Sequence, residues 1–176
     1  MKTIIITRAI HELDEEDFIE TIILLNSTDI IKVCVNYARY NGDIRLFHDY
    51  YYLPMYEKYP ERILVTSSRI LHTNMITKEN KNRIILYDNC KCPLKKDKDK
   101  LWFRSTSLTS AIDLCYSWLN TDECLLLATN KMDANHKHIM EQMKENVKYY
   151  PSLYSYKEDN NFNLKYKSLK DFIREH

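Results

Sequence analysis

A single α+β domain over residues 1–176, with a mixed or antiparallel sheet and interspersed helices, is the fold class this sequence predicts. Three observations carry that expectation. Strand-like β-branched runs and segments of helical spacing are interspersed along the chain. No linker, repeat or low-complexity stretch divides it. The apolar runs 82–88 and 100–105 are joined by the polar, proline-containing "NCKCPLKKDKDK", which reads as a solvated hairpin tip.

Taken in order, "KTIIITRAI" is a β-branched strand ending near Arg8. Asp14 can cap a helix over about 14–26, where the acids of "DEED" suit its positive end. Within it Phe18, Ile19, Ile22, Ile23 and Leu25 follow helical spacing. "DIIKVCVNY" alternates as a strand, and "DIRLFHDYYYL" reads as a helix broken at Pro54. Strand-like pieces follow at 62–68, 82–88 and 100–105. "SLTSAIDLCYSWL" sets Leu108, Ala111, Ile112, Cys115 and Leu119 on one helical face. "ECLLLAT" is a continuous apolar strand, buried on both sides. "DANHKHIMEQMKENV" is a helix with Asp133 as its cap, and two short strands around 152–157 and 162–167 precede a last helix from Ser168.

Composition narrows the function classes. With 29% charged and 44% apolar residues the chain belongs with globular proteins rather than disordered ones. A net charge of +1 supplies no global field, which disfavours nucleic acid or anionic lipid as partner. The apolar start "TIIIT" is too short for a secretory leader, and no run nears the roughly 18 apolar residues of a membrane span. Five scattered cysteines fit reduced thiols, so a cytoplasmic protein is expected. Gly42 is the single glycine, which excludes glycine-rich phosphate loops. A nucleotide bound here would be held by side chains or ordinary turns. The 14 tyrosines, with abundant Ile, Lys and Asn, match the coding bias of AT-rich genomes such as those of many viruses.

The candidate site lies in residues 98–132. Ser105, Thr106 and Ser107 stand where a strand hands over to a helix. Ser107 or Thr109 can cap that helix, with Ser105 and Thr106 as strand residues; alternatively the hydroxyls edge a ligand pocket beside free N–H groups. Phe103 leading into Ser105-Thr106-Ser107, Ala111 in the following helix, and Arg8 at the end of the first strand together resemble the arginine-first branch of the ADP-ribosyltransferase superfamily. The resemblance covers about eleven residues in two places. It implies that Arg8 holds a phosphate or ribose of NAD and that Ser105, Thr106 and Ser107 bind around the nicotinamide ribose. A guanidinium suits that role because it grips phosphate in a fork and keeps its charge. The resemblance also implies a catalytic glutamate to stabilise the cation-like ribose as nicotinamide departs. Glu123 and Glu158 are the two candidates, and the family's doubled Glu-x-Glu is absent.

Other constellations are weaker. Cys90 and Cys92 with His136 and His138 have zinc-ligand chemistry, but His136 and His138 point about 200° apart on a helix, so no metal site is expected. "KKDKDK" beside Trp102 and Phe103 mixes signs, as a solvated loop does. Two functions follow as expectations. One is NAD-dependent transfer of ADP-ribose to a protein or nucleic-acid acceptor. The other is a non-enzymatic, viral-type accessory protein that binds and blocks a host or competitor protein, with tyrosines as interface residues.

Overall fold

The computed structural model describes residues 1–47, 61–78, 81–90, 101–104, 106–127, 141, 149–158 and 162–175. Nine strands in these residues form one sheet: β1 (Lys2–Ile6), β2 (Ile31–Val35), β3 (Ile44–Phe47), β4 (Ile63–Ser67), β5 (Ile84–Cys90), β6 (Leu101–Arg104), β7 (Glu123–Leu127), β8 (Leu153–Ser155) and β9 (Lys165–Tyr166). Their order across the sheet is β6-β5-β4-β3-β2-β1-β7-β8-β9. Every pairing is parallel. The fold is therefore a parallel α/β arrangement, which corrects the mixed or antiparallel α+β sheet expected from the sequence.

The strand interiors explain why the sheet is stable in this form. Ile4, Ile5 and Ile6 are consecutive and wholly buried, so both faces of β1 are covered, as a central parallel strand requires. Each such side chain contributes about 1.5–3 kcal/mol by leaving water. Leu125, Leu126 and Leu127 do the same for neighbouring β7, as the apolar run "ECLLLAT" had indicated. On one face Ile4, Ile6 and Cys34 pack with Phe18 and Ile22 of α1 (Glu15–Asn26) and with Phe172 of α3 (Leu169–Arg174). On the other, Ile5, Val33 and Leu46 pack with Leu108, Ala111 and Ile112 of α2 (Ser107–Asp113), which runs on through a π-helical turn to Trp118.

Two local expectations change. Ile44–Phe47 is a fully buried strand, not the start of a helix; its periodicity was obscured by Arg45, a charged residue that is nonetheless 0% exposed. The rest of that segment, 48–54, lies outside the described residues, as does most of the helix expected at 133–147. Thr106, rather than Ser107 or Thr109, caps α2: its hydroxyl accepts from the Thr109 N–H, and the Thr109 side chain accepts from the Thr106 N–H.

The connection from β2 to β3, residues 36–43, contains no helix and is shorter than the dozen or so residues of an ordinary parallel crossover. Buried Arg45 makes this possible. Its Nη1 donates to the carbonyls of Asn36 and Ala38 at 2.8 and 2.9 Å, and its Nη2 to Tyr40 at 2.6 Å. Nε and Nη2 also pair with Glu61, so all five N–H groups of the guanidinium have acceptors. Gly42 completes the connection. A Cβ there would lie 2.7 Å from Cys34 Sγ and 2.7 Å from the Lys32 carbonyl, so only glycine lets the return segment lie this close to β2.

Candidate functional site

Strand order sets where a site forms. From β1 the chain winds outward through β2 to β6, then α2 carries it back to β7 on the other side of β1. The direction of winding reverses between β1 and β7. In such sheets ligands bind beyond the carboxyl ends of the strands at the reversal. Thr7 marks that point, its Oγ1 donating to the Leu127 carbonyl at 2.9 Å.

Immediately beyond it, Arg8, His11, Tyr37 and Arg39 line one cavity of about 380 Å³. Arg8 and His11 come from the 3-10 turn after β1, Tyr37 and Arg39 from the turn after β2. The two turns are tied together, because His11 Nε2 accepts from the Arg39 N–H at 3.1 Å. Burial together with the charges of Arg39 and Arg8 holds the His11 imidazole below its ordinary value, while its hydrogen bond with the Tyr37 backbone opposes that shift. The neutral ring is thus the form that fits. Both guanidinium-bearing residues are exposed, and among the described residues neither guanidinium has a hydrogen-bond or ion-pair partner. Two guanidiniums without partners among the described residues, at the edge of one cavity, make an anion-binding constellation, with the neutral His11 ring serving to tie the two turns together.

The residues named from the sequence fall as follows. Arg8 is in this cavity. Ser107 is joined to the turn that carries Tyr37 and Arg39: its Oγ accepts from Asn36 Nδ2 at 3.0 Å. Asn36 itself has φ 49°, a left-handed conformation that asparagine tolerates better than most residues. Thr106 is buried in its capping role, and Ser105 lies outside the described residues. The two glutamates separate. Glu123 opens β7, level with Lys2, and pairs with Lys2 at 3.5 Å and Lys167 at 3.8 Å. That is the opposite edge, roughly 15–20 Å from Arg8 at about 3.3 Å per residue. Glu158 follows β8 and stands exposed at the same edge as Arg8. Two residues earlier, Tyr156 packs against the same hydrophobic cluster as Ile10 of the 3-10 turn that carries Arg8, and burial together with the charges of Glu12 and Asp17 pushes its phenol up to about 12.

No sequence motif singles out His11, Tyr37 and Arg39. "NYARY" contains the pattern of a basic residue between aromatics, but only the unusual β2–β3 return brings it against Arg8. Among the described residues no group of three or more His, Cys, Asp or Glu could hold a metal, and no helix is long and apolar enough to cross a membrane. Cys34, Cys115 and Cys124 are buried free thiols. Cys92, His136 and His138 lie outside the described residues. No family model, curated protein or solved structure matches this chain.

Proposed function

We propose that the carboxyl edge of the sheet binds a phosphate-bearing ligand of the nucleotide class, with NAD as the first to try. The observation that carries this is the convergence of Arg8 and Arg39, without described partners, on one cavity at the point where the strand order reverses. Each guanidinium would engage a phosphate oxygen pair. The single glycine fits such side-chain capture, since no glycine-rich loop is present to cradle phosphate.

Transfer of ADP-ribose is the reaction that the sequence resemblance implies for this ligand. In that reaction the carboxylate would be Glu158, because Glu123 belongs to the other edge. The test is nicotinamide release from NAD by wild type, Arg8→Ala and Glu158→Gln. The proposed reaction requires release that falls about tenfold or more in both variants, the size of a lost charged hydrogen bond. Release unchanged in Arg8→Ala would overturn the site assignment; binding of NAD without release would leave a binding protein and remove the transferase.

Capture of a partner protein is favoured by a separate observation. Ile19 and Ile23, 52% and 62% exposed, stand one turn apart on the outer side of α1. Replacing both with Glu would abolish such capture and leave NAD binding unchanged.

A further inference from the structure

We infer that His11 is the positioning residue of the Arg8–Arg39 site and that it holds Arg39 only as a neutral imidazole, so that taking up a proton weakens capture of the anion. This rests on the reading above and adds its regulation. Two side chains hold the backbone of residues 36–40. Buried Arg45 takes the carbonyls of Asn36, Ala38 and Tyr40. His11, on the 3-10 turn after β1, takes the residues between: its Nε2 accepts from the Arg39 N–H at 3.1 Å, and its ring bonds the Tyr37 backbone. The guanidinium keeps its charge at every relevant pH, so the hold of Arg45 is permanent. An imidazole titrates near neutrality, so the hold of His11 is not.

With Nε2 as acceptor, the neutral ring carries its proton on Nδ1. The bond with the Tyr37 backbone favours the protonated ring, as a bond donated by the ring to a carbonyl does. One nitrogen is therefore donor and the other acceptor, and only the neutral ring can be both. A second proton, on Nε2, would meet the Arg39 N–H. Because Nε2 is directed at that backbone, the new N–H is not offered to the ligand. The added charge still attracts an anion, but beside exposed Arg8 and Arg39 water and salt screen that attraction, whereas the tie to Arg39 is lost outright. Burial, Arg39 on the facing turn and Arg8 on its own all oppose protonation of the ring, while Glu12, next to it in the chain, acts on Tyr156. The tie is thus complete above about pH 6.5 and is lost as pH falls through the lowered value.

The test is ligand affinity against pH. NAD is the probe, with sulfate beside it, because neither titrates in the range of about pH 5–8 where histidine does. Each is titrated into the ¹⁵N-labelled full chain at both ends of that range and between, and the profile is read with whichever binds. The inference requires an affinity about tenfold lower at the acid end, the size of one lost charged hydrogen bond. The midpoint must coincide with that of the His11 ring signal. It also requires a flat profile in His11→Gln, whose carboxamide offers a donor and an acceptor without titrating. Affinity that is unchanged or rises on acidification, or a fall that persists in folded His11→Gln, would overturn the inference and leave the Arg8–Arg39 site in place. No binding of either probe at the alkaline end would remove the site and the inference together. Should His11→Gln not fold, coincidence of the two wild-type midpoints decides alone.

Discussion

Arg45 and the pair Arg8 and Arg39 use the same side chain for opposite ends. Arg45 is wholly buried, and each of its five N–H groups meets an acceptor of this chain: Glu61 and the carbonyls of Asn36, Ala38 and Tyr40. Arg8 and Arg39 are exposed at the carboxyl edge, where their guanidiniums have no partner among the described residues. The first arginine builds the turn that presents the third. Saturated hydrogen bonding identifies a structural arginine, and open hydrogen bonding beside a cavity identifies one available to a ligand. Breaking each in turn separates the two roles.

The largest effect belongs to the buried centre. Arg45→Met leaves Glu61 charged and unpaired and three carbonyls without their donor, an expected loss of about 3–5 kcal/mol. That is a large part of the roughly 5–15 kcal/mol that holds a domain together, and urea unfolding will measure it. Gly42→Ala comes next. Its methyl would meet backbone at the Lys32 carbonyl, and overpacking of this kind costs about 1–3 kcal/mol. The same urea series should show Arg8→Ala and Arg39→Ala within about 0.5 kcal/mol of wild type.

Smaller effects sharpen the contrast between the two edges. Glu123→Gln removes ion pairs to Lys2 and Lys167 that are partly shielded from water, worth about 1 kcal/mol, and should leave ligand binding untouched. His11 gives the smallest signal. Its folded value lies below the ordinary 6.5, so the unfolded chain binds the extra proton first as pH falls. Its contribution is fully present above about pH 6.5 and is lost as pH falls through the lowered folded value. An NMR titration should place the His11 midpoint below 6.5, with the Arg39 amide following it because protonation removes the Nε2 acceptor. A midpoint at or above 6.5, or an Arg39 amide that does not respond, would contradict the tie between the two turns.

Much of the architecture was legible residue by residue. The capped helix from Asp14, the strands at 31–35 and 63–67, and the doubly buried β7 follow from capping, alternation and apolar run length. Strand direction was not. With 43–53 read as a helix, no return from β2 to β3 is visible in the sequence, and only the Arg45 bonds and the bare backbone at Gly42 let residues 36–43 cross back in parallel. The same residues hid β3, because an arginine in the middle of a strand looks like a solvent position. At the site, Arg8 was legible as a cation ending a strand and Ser107 as a hydroxyl at a helix start. Arg39 and Tyr37 were not, since what brings them to Arg8 is the turn that Arg45 holds. Glu123 and Glu158 could not be ranked without knowing which edge each strand presents.

The most direct measurement is calorimetric titration of NAD and of inorganic pyrophosphate into wild type and the Arg8→Ala/Arg39→Ala double variant. The account predicts that wild type binds NAD or pyrophosphate and that the double variant loses about a hundredfold or more in affinity, about tenfold for each guanidinium, while unfolding at the same urea concentration. Equal affinity in the two proteins, or a folded wild type that binds neither compound, would contradict it.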